Sequence, residues 1–135
     1  MQVDTLARAA VGALEDIKAR DIVVLDVRKL TSLFDTVIVA SADSARQTKA
    51  LSRHVQDEAK ASGGDVYGVE GEETGEWVLV DLGDVVVHIM QPAVRDYYNL
   101  EELWGGRRPA FGRPPLAGDP DALAASRQTS IGFSS

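Results

Sequence analysis

Residues 76–91, EWVLVDLGDVVVHIMQ, constrain the fold more than any other part of the sequence. Two runs rich in β-branched residues flank the pair Gly83-Asp84, which is typical of a two-residue hairpin turn. Because side chains alternate between the two faces of a strand, such a turn fixes which residues share a face. The segment therefore predicts an antiparallel hairpin whose faces can be assigned residue by residue.

The two faces of this hairpin differ in character. One face carries three purely apolar pairs and is predicted to be core: Leu82 opposite Val85, Val80 opposite Val87, and Val78 opposite Ile89. The other face carries three mixed pairs: Asp81 with Val86, Leu79 with His88, and Trp77 with Met90. A face that combines apolar side chains with a carboxylate, an imidazole and an indole is either covered by a helix or offered to a partner.

Helices are predicted from apolar periodicity and from cap residues. Residues 3–19 place apolar side chains at helical spacing and predict an amphipathic first helix. Ser44 and Gln47 form a capping-box pattern that begins a second helix, which runs to about Ser62 and ends at the Gly63-Gly64 pair. Pro92 begins a last helical segment with several bulky side chains: Tyr97, Tyr98, Leu100, Leu103 and Trp104.

Strands are predicted at residues 21–27, 35–41 and 65–71, in addition to the hairpin. The element order is then α-β-β-α-β-β-β-α. Because the chain contains both a hairpin and a helical crossover, we expect an α/β fold with a mixed sheet of about five strands packed by helices.

The charge distribution divides the chain into two parts. Residues 1–104 contain 19 acidic and 10 basic residues, whereas residues 105–135 contain 2 acidic and 4 basic residues and are rich in proline and glycine. We therefore predict one domain over residues 1–105 and a flexible tail over residues 106–135. An acidic domain disfavours broad nucleic-acid binding and favours basic partners.

The composition and the motifs exclude several kinds of site. The chain has no cysteine, which excludes disulfides, thiol nucleophiles and thiolate zinc sites. It lacks the phosphate-loop, dinucleotide-binding, zinc-protease and nucleophile-elbow motifs. Its N-terminal residues do not resemble a signal peptide, and no apolar run approaches the roughly 20 residues of a membrane helix. We expect a cytoplasmic protein.

The remaining candidates for chemistry are weak. Asp81 and Asp84 are three residues apart, whereas two-metal sites use carboxylates two apart on a strand, and Gly83 places Asp84 in the turn. His88 lies in mid-strand with no second histidine nearby in sequence, which is more typical of a packed, hydrogen-bonded residue than of a ligand or base. We predict no catalytic residue, no metal site and no cofactor.

Three stretches of the sequence resemble the ribosomal silencing factor family, also called the Iojap family: DIVVLDVRKLTSLFDTVIVAS, SARQTKAL and VEGEETGEWVLVDLGDVVVHIMQPAVRDYYNLEELWG. The resemblance is collinear over residues 3–105. Its most specific motifs are the hairpin signature W-x-x-x-D-x-G-D-x-x-x-H and the following Y-x-L-E-x-L-W. Ala42 departs from the pattern, because the family usually has glycine there.

The resemblance implies a fold similar to that of nucleotidyltransferases but without their catalytic carboxylates. It also implies binding to the large ribosomal subunit at ribosomal protein L-fourteen, which blocks small-subunit joining and represses translation when nutrients are scarce. Family members are often homodimers when free. The family's partner-binding surface falls on seven residues of this chain: Trp77, Leu82, Asp84, His88, Met90, Pro92 and Tyr98. Leu82 conflicts with its predicted position on the core face, unless the end of the hairpin serves both roles.

Two other functions remain open. A nucleotidyltransferase-like enzyme would need a Gly-Ser motif at a helix start and a D-x-D strand, and SADS at residues 41–44 supplies neither. The second is an interaction module with another protein target.

Overall fold

The computed structural model describes residues 3–98, in which three helices and five strands follow the predicted order. The helices are α1 (Val3–Asp16), α2 (Ala45–Ala61) and α3 (Pro92–Tyr98). The strands are β1 (Arg20–Asp26), β2 (Thr36–Ser41), β3 (Gly68–Glu70), β4 (Trp77–Asp81) and β5 (Val85–Met90). The predicted fold class is confirmed.

The five strands form one mixed sheet in the order β1-β2-β5-β4-β3. β2 and β5 run parallel, and the other neighbouring strands run antiparallel. A parallel pair requires a crossover connection, which α2, β3 and β4 supply between β2 and β5. The hairpin β4–β5 therefore lies inside the sheet, with β2 on one side and β3 on the other.

The hairpin has the predicted register. Trp77 pairs with Met90 and Asp81 pairs with Val86, and the intervening pairs follow in step. At the turn, the Leu82 N–H donates to the Val85 carbonyl at 2.9 Å. Gly83 has a φ of +93°, a left-handed conformation that glycine adopts without steric cost and that type II′ turns require at this position.

The predicted core face is buried beneath α1 and α2. Apolar side chains of both helices pack against the inward residues of the central strands and form the main core: Leu6, Ala10, Ala13, Leu14, Leu51, Val55, Ala59, Ile38, Ala40, Ala42, Val78, Val80, Leu82, Val85, Val87 and Ile89. Ala42 is buried there without a positive φ, so the departure from the family's glycine causes no backbone strain at this position.

The start of α2 differs in one bond from the predicted capping box. Ser44 is the N-cap and its side chain accepts the Gln47 N–H at 3.1 Å, as predicted. The Gln47 side-chain oxygen, however, accepts from the N–H of Asp43 rather than from that of Ser44, at 2.9 Å. The Gln47 amide nitrogen meanwhile donates to the carbonyls of Ile17 and Lys18. Gln47 therefore joins the start of α2 to the end of α1.

The second face of the hairpin is also largely covered. The connection between β1 and β2 folds over it and buries Val27 and Phe34, while α3 contributes Val94 and Tyr98 beside the end of the hairpin. Arg95 of α3 is buried, and its Nη1 donates to the Ser41 Oγ at 2.8 Å, which ties α3 to β2. The covering segments leave one large side chain of this face, Trp77, partly open to solvent.

Some of the predictions concern residues outside the described part of the chain. The helix beginning at Pro92 is confirmed as far as Tyr98, whereas Leu100, Leu103, Trp104 and the tail over residues 106–135 lie outside residues 3–98. Within the described residues, no helix has the length and apolarity needed to cross a membrane.

Candidate functional site

Trp77 is the centre of the candidate site. It is the first residue of β4 and lies at the rim of the covered face, half-buried. Its indole Nε1–H donates to Nδ1 of His88 at 3.0 Å, across the diagonal of the β4–β5 ladder. The Tyr98 ring lies against it, with ring centroids 5.1 Å apart and planes inclined by 38°. The indole is therefore held by a polar contact and by an aromatic neighbour.

His88 lies beneath Trp77 and is fully buried. Burial removes the imidazole from water, which lowers the pKa of His88 from 6.5 to about 3 and keeps the ring neutral near pH 7. An indole N–H is only a donor, so Nδ1 of His88 must accept, and the ring proton is assigned to Nε2. Nε2 is buried and has no hydrogen-bond partner among the described residues. His88 therefore acts as a fixed acceptor for the indole of Trp77.

Met90 lies opposite Trp77, and Pro92 begins the helix that carries Tyr98. Met90 is directly opposite Trp77 in the ladder and is fully buried in the cluster beneath the covered face. Pro92 is the first residue of α3 and is half-buried. Proline suits a first helical position because its fixed φ is helical and its missing N–H would have no partner within the helix. The helix that brings Tyr98 to Trp77 thus begins two residues after Met90.

The hairpin turn forms a separate group. Asp84 is exposed at the turn, and its backbone carbonyl accepts the N–H groups of Asp35 and Thr36 at 2.8 and 3.1 Å. Leu82 is buried in the main core, in agreement with the predicted face and not with a solvent-facing role. Asp84 lies six residues along β5 from Met90, which is about 20 Å of extended strand. The seven predicted residues therefore fall into two groups at opposite ends of the hairpin.

The predicted site residues differ in how much of their surface is accessible to solvent. The side chains of Leu82, His88 and Met90 have no appreciable surface in this structure, whereas Asp84 is exposed. Trp77, Pro92 and Tyr98 are half-buried and present part of their surface to solvent. The buried three support the hairpin from within, and the other four form the accessible part of the candidate site.

An acidic loop over residues 71–76 borders Trp77 and is held rigidly. The Gly75 carbonyl accepts from the Thr48 hydroxyl at 2.7 Å and from the Gln91 amide at 3.1 Å. Gly75 has a φ of +72°, and a Cβ there would lie 2.6 Å from the Cβ of Ala45. The Ser52 hydroxyl donates to the Glu72 carboxylate at 2.9 Å. This anchoring is not among the predicted features, although two glycines four residues apart in an acidic loop, Gly71 and Gly75, are a signal for it.

The Asp81 carboxylate stabilises the hairpin turn. The Asp81 Oδ1 accepts the N–H of Gly83 at 2.9 Å, so this side chain supports the turn conformation. Within residues 3–98, no group of three or more histidine, cysteine, aspartate or glutamate side chains could hold a metal ion. The arrangement offers a partly exposed aromatic surface.

Comparison with known proteins gives consistent matches. A family model described as "Ribosomal silencing factor during starvation" matches residues 1–131, which extends beyond residue 105, the limit of the quoted motifs. The ribosomal silencing factor RsfS of Chromobacterium violaceum is 59% identical over 111 residues, covering 82% of this chain and 91% of that protein. RsfS of Bacillus subtilis is 39% identical over 105 residues, covering 78% and 89%.

A solved structure shares the fold. A crystal structure of a Chromobacterium violaceum protein superposes with a TM-score of 0.77 at 55% sequence identity, covering 87% of this chain and 98% of that chain.

Proposed function

The chain belongs to the ribosomal silencing factor family, and we propose that it binds the large ribosomal subunit through ribosomal protein L-fourteen and blocks joining of the small subunit. Membership supports a role in ribosome silencing. The partner protein and the steric block are the parts that we propose, along with repression of translation under nutrient limitation. The proposed activity is binding without catalysis.

The fixed position of Trp77 is the observation that carries this proposal. Tryptophan is enriched among residues that dominate binding energy, especially where a large side chain is already ordered before binding. Trp77 is ordered by His88 and Tyr98 and still presents part of its surface. A partner that covers the indole gains apolar contact without the entropic cost of ordering the ring.

The contact set of the proposal follows the burial of the predicted residues. Trp77, Tyr98 and Pro92 form the aromatic end of the contact surface, and Asp84 contributes a charge at the turn end. The two ends are about 20 Å apart, which a standard interface of about 800 Å² per partner can span. Leu82, His88 and Met90 contribute indirectly, by holding the hairpin and the indole in place.

Charge also supports a basic protein partner. The excess of acidic residues in residues 1–104 favours association with a basic ribosomal protein and opposes contact with the phosphates of ribosomal RNA. The proposal includes a cytoplasmic location, because the curated relatives cited above are bacterial ribosomal silencing factors. It also includes a homodimer in the absence of ribosomes.

Sedimentation with purified ribosomal subunits tests the proposal. Wild-type protein should pellet with large subunits and lower the fraction of joined ribosomes in a sucrose gradient. Trp77→Ala should weaken pelleting by about thirtyfold, which is about 2 kcal/mol, and should lose the effect on joining at the same concentration. Val24→Ala changes an exposed apolar residue on β1 and serves as the control, with wild-type behaviour expected.

Two results would contradict the proposal. A folded Trp77→Ala protein that pellets and blocks joining like wild type would exclude this face as the binding surface. Wild-type protein that does not pellet with large subunits would instead favour an interaction module with another target.

A further inference from the structure

Within the described part of the chain, Tyr97 is the most exposed aromatic side chain, with 79% of its surface accessible to solvent. It is not among the seven residues that the family resemblance singles out. It lies on α3, and its ring meets Tyr98 edge to face, with centroids 4.7 Å apart and planes at 83°. Tyr98 in turn lies against Trp77. Tyr97 therefore extends the aromatic end of the proposed contact surface outward into solvent.

The edge-to-face contact holds the Tyr97 ring against Tyr98. In such a pair, the positive edge of one ring meets the negative face of the other. This arrangement is a favourable one for aromatic rings, so the contact orders Tyr97 even though most of the side chain is in water. An ordered, exposed aromatic ring offers a negative face that attracts cations.

The exposed charged residues next to Tyr97 and Trp77 in the sequence are acidic. Asp96 and Glu76, the sequence neighbours of Tyr97 and Trp77, are exposed. The basic residue of α3, Arg95, is turned inward and donates to Ser41. An exposed aromatic ring on a domain with an excess of acidic residues suits a cationic side chain and disfavours phosphate groups.

We propose that Tyr97 binds an arginine side chain of the ribosomal protein by a cation–π contact, which makes it a further specificity-determining residue of the interface. Arginine is favoured over lysine because its planar guanidinium stacks on aromatic rings. This inference rests on the proposed function, because it assigns a ligand to the surface next to Trp77.

Substitutions at residue 97 test the role of the ring face. Tyr97→Phe keeps the ring and the contact with Tyr98, so its affinity for large subunits should stay close to wild type. Tyr97→Leu keeps an apolar side chain but removes the ring, and it should weaken binding about fivefold, or about 1 kcal/mol. Because Tyr97 is exposed, both variants should keep the wild-type melting temperature.

A fluorination series separates the cation–π contact from support of Tyr98. Phenylalanines with one, two and three ring fluorines at residue 97 progressively weaken the negative ring face and keep its size nearly constant. A stepwise loss of affinity with fluorine number is expected. Affinity that does not depend on fluorine number would overturn the cationic ligand.

Purified L-fourteen, measured beside whole large subunits, identifies the source of the ligand. The Tyr97→Leu loss should appear with the isolated ribosomal protein as well as with the subunit. A loss seen with subunits but not with the isolated protein would mean that an RNA base stacks on Tyr97, and would overturn the proposal. Trp77→Ala tests the proposed function itself, because wild-type binding by that variant would contradict it. The variants at residue 97 test only the cation–π contact.

Discussion

The indole N–H of Trp77 donates to Nδ1 of His88 at 3.0 Å, and His88 leaves its other ring nitrogen buried without a hydrogen-bond partner among the described residues. A buried donor without a partner costs about 1–3 kcal/mol. The buried imidazole therefore lowers the stability of the fold relative to an apolar residue at the same position. What the imidazole supplies in return is a fixed orientation of the partly exposed indole.

Removing the indole N–H of Trp77 should reveal the energetic coupling between Trp77 and His88. Trp77→Phe keeps an aromatic ring but leaves Nδ1 of His88 buried and unpaired, so unfolding free energy should fall by about 1–3 kcal/mol. His88→Leu removes both imidazole nitrogens and should cost less. Urea denaturation of both single variants and the double variant measures the coupling, and the double variant should lose less stability than the sum of the two. Strict additivity would show that the hydrogen bond contributes nothing.

Stability should fall as the pH drops below about 6.5. The pKa of His88 is lowered to about 3 in the folded chain, whereas the unfolded chain has an ordinary histidine pKa near 6.5. Between these values the unfolded state binds the extra proton, so stability is fully present above pH 6.5 and is lost toward pH 3. The loss from this residue by pH 4.5 should be roughly 2–3 kcal/mol.

The His88→Leu variant is the control for this pH dependence. Denaturation of both proteins at pH 7 and pH 4.5 separates His88 from the carboxylates, which titrate in both. The wild type should lose more stability than the variant over this interval. Equal losses would contradict burial of a neutral imidazole.

A methyl group at residue 75 should disrupt the acidic loop. Gly75→Ala forces a side chain into a positive φ and against Ala45, so we expect a loss of about 2 kcal/mol or more. Gly12→Ala is the matched control: residue 12 lies within α1, and a Cβ there meets nothing within 4 Å. That variant should be neutral or up to about 1 kcal/mol more stable, because alanine favours helix. Thermal melts of both proteins provide the measurement.

Deleting residues 106–135 should leave the melting temperature of the remaining chain nearly unchanged. The reason lies in composition, since this segment has little periodic apolar content with which to contact a core. Calorimetry of the full-length and shortened chains tests it. A decrease of more than a few degrees would show that these residues pack on the domain.

The hairpin was predictable because its determinants are local. Gly83 and Asp84 set the turn, the turn sets the register, and the register places Trp77 and His88 on one face. The coverage of that face was not predictable in the same way. Phe34 comes from a connection more than 40 residues earlier in the chain, and its approach depends on the strand order of the completed sheet.

The same difference between local and long-range determinants explains why the position of Leu82 was predictable while other contacts at the candidate site were not. Counting along the strand placed Leu82 in the core correctly, whereas the family resemblance alone suggested an accessible residue. The hydrogen bond from the Asp43 N–H to the Gln47 side chain, and the inward turn of Arg95 toward Ser41, depend on which groups neighbouring elements bring within reach. Patterns in one segment do not specify such contacts.

Because β2 pairs in parallel with β5, one edge of β2 stays unpaired during part of the synthesis of the chain. β1 and β2 are close in sequence and can pair early. The other edge of β2 has no partner until β5 emerges, and β5 begins at Val85, 44 residues after Ser41. At about 5–20 residues per second, translation leaves that edge open for roughly 2–9 s. An apolar strand edge that stays open for this long is prone to aggregation, so synthesis of the segment between β2 and β5 is the interval in which this chain is most exposed to that risk.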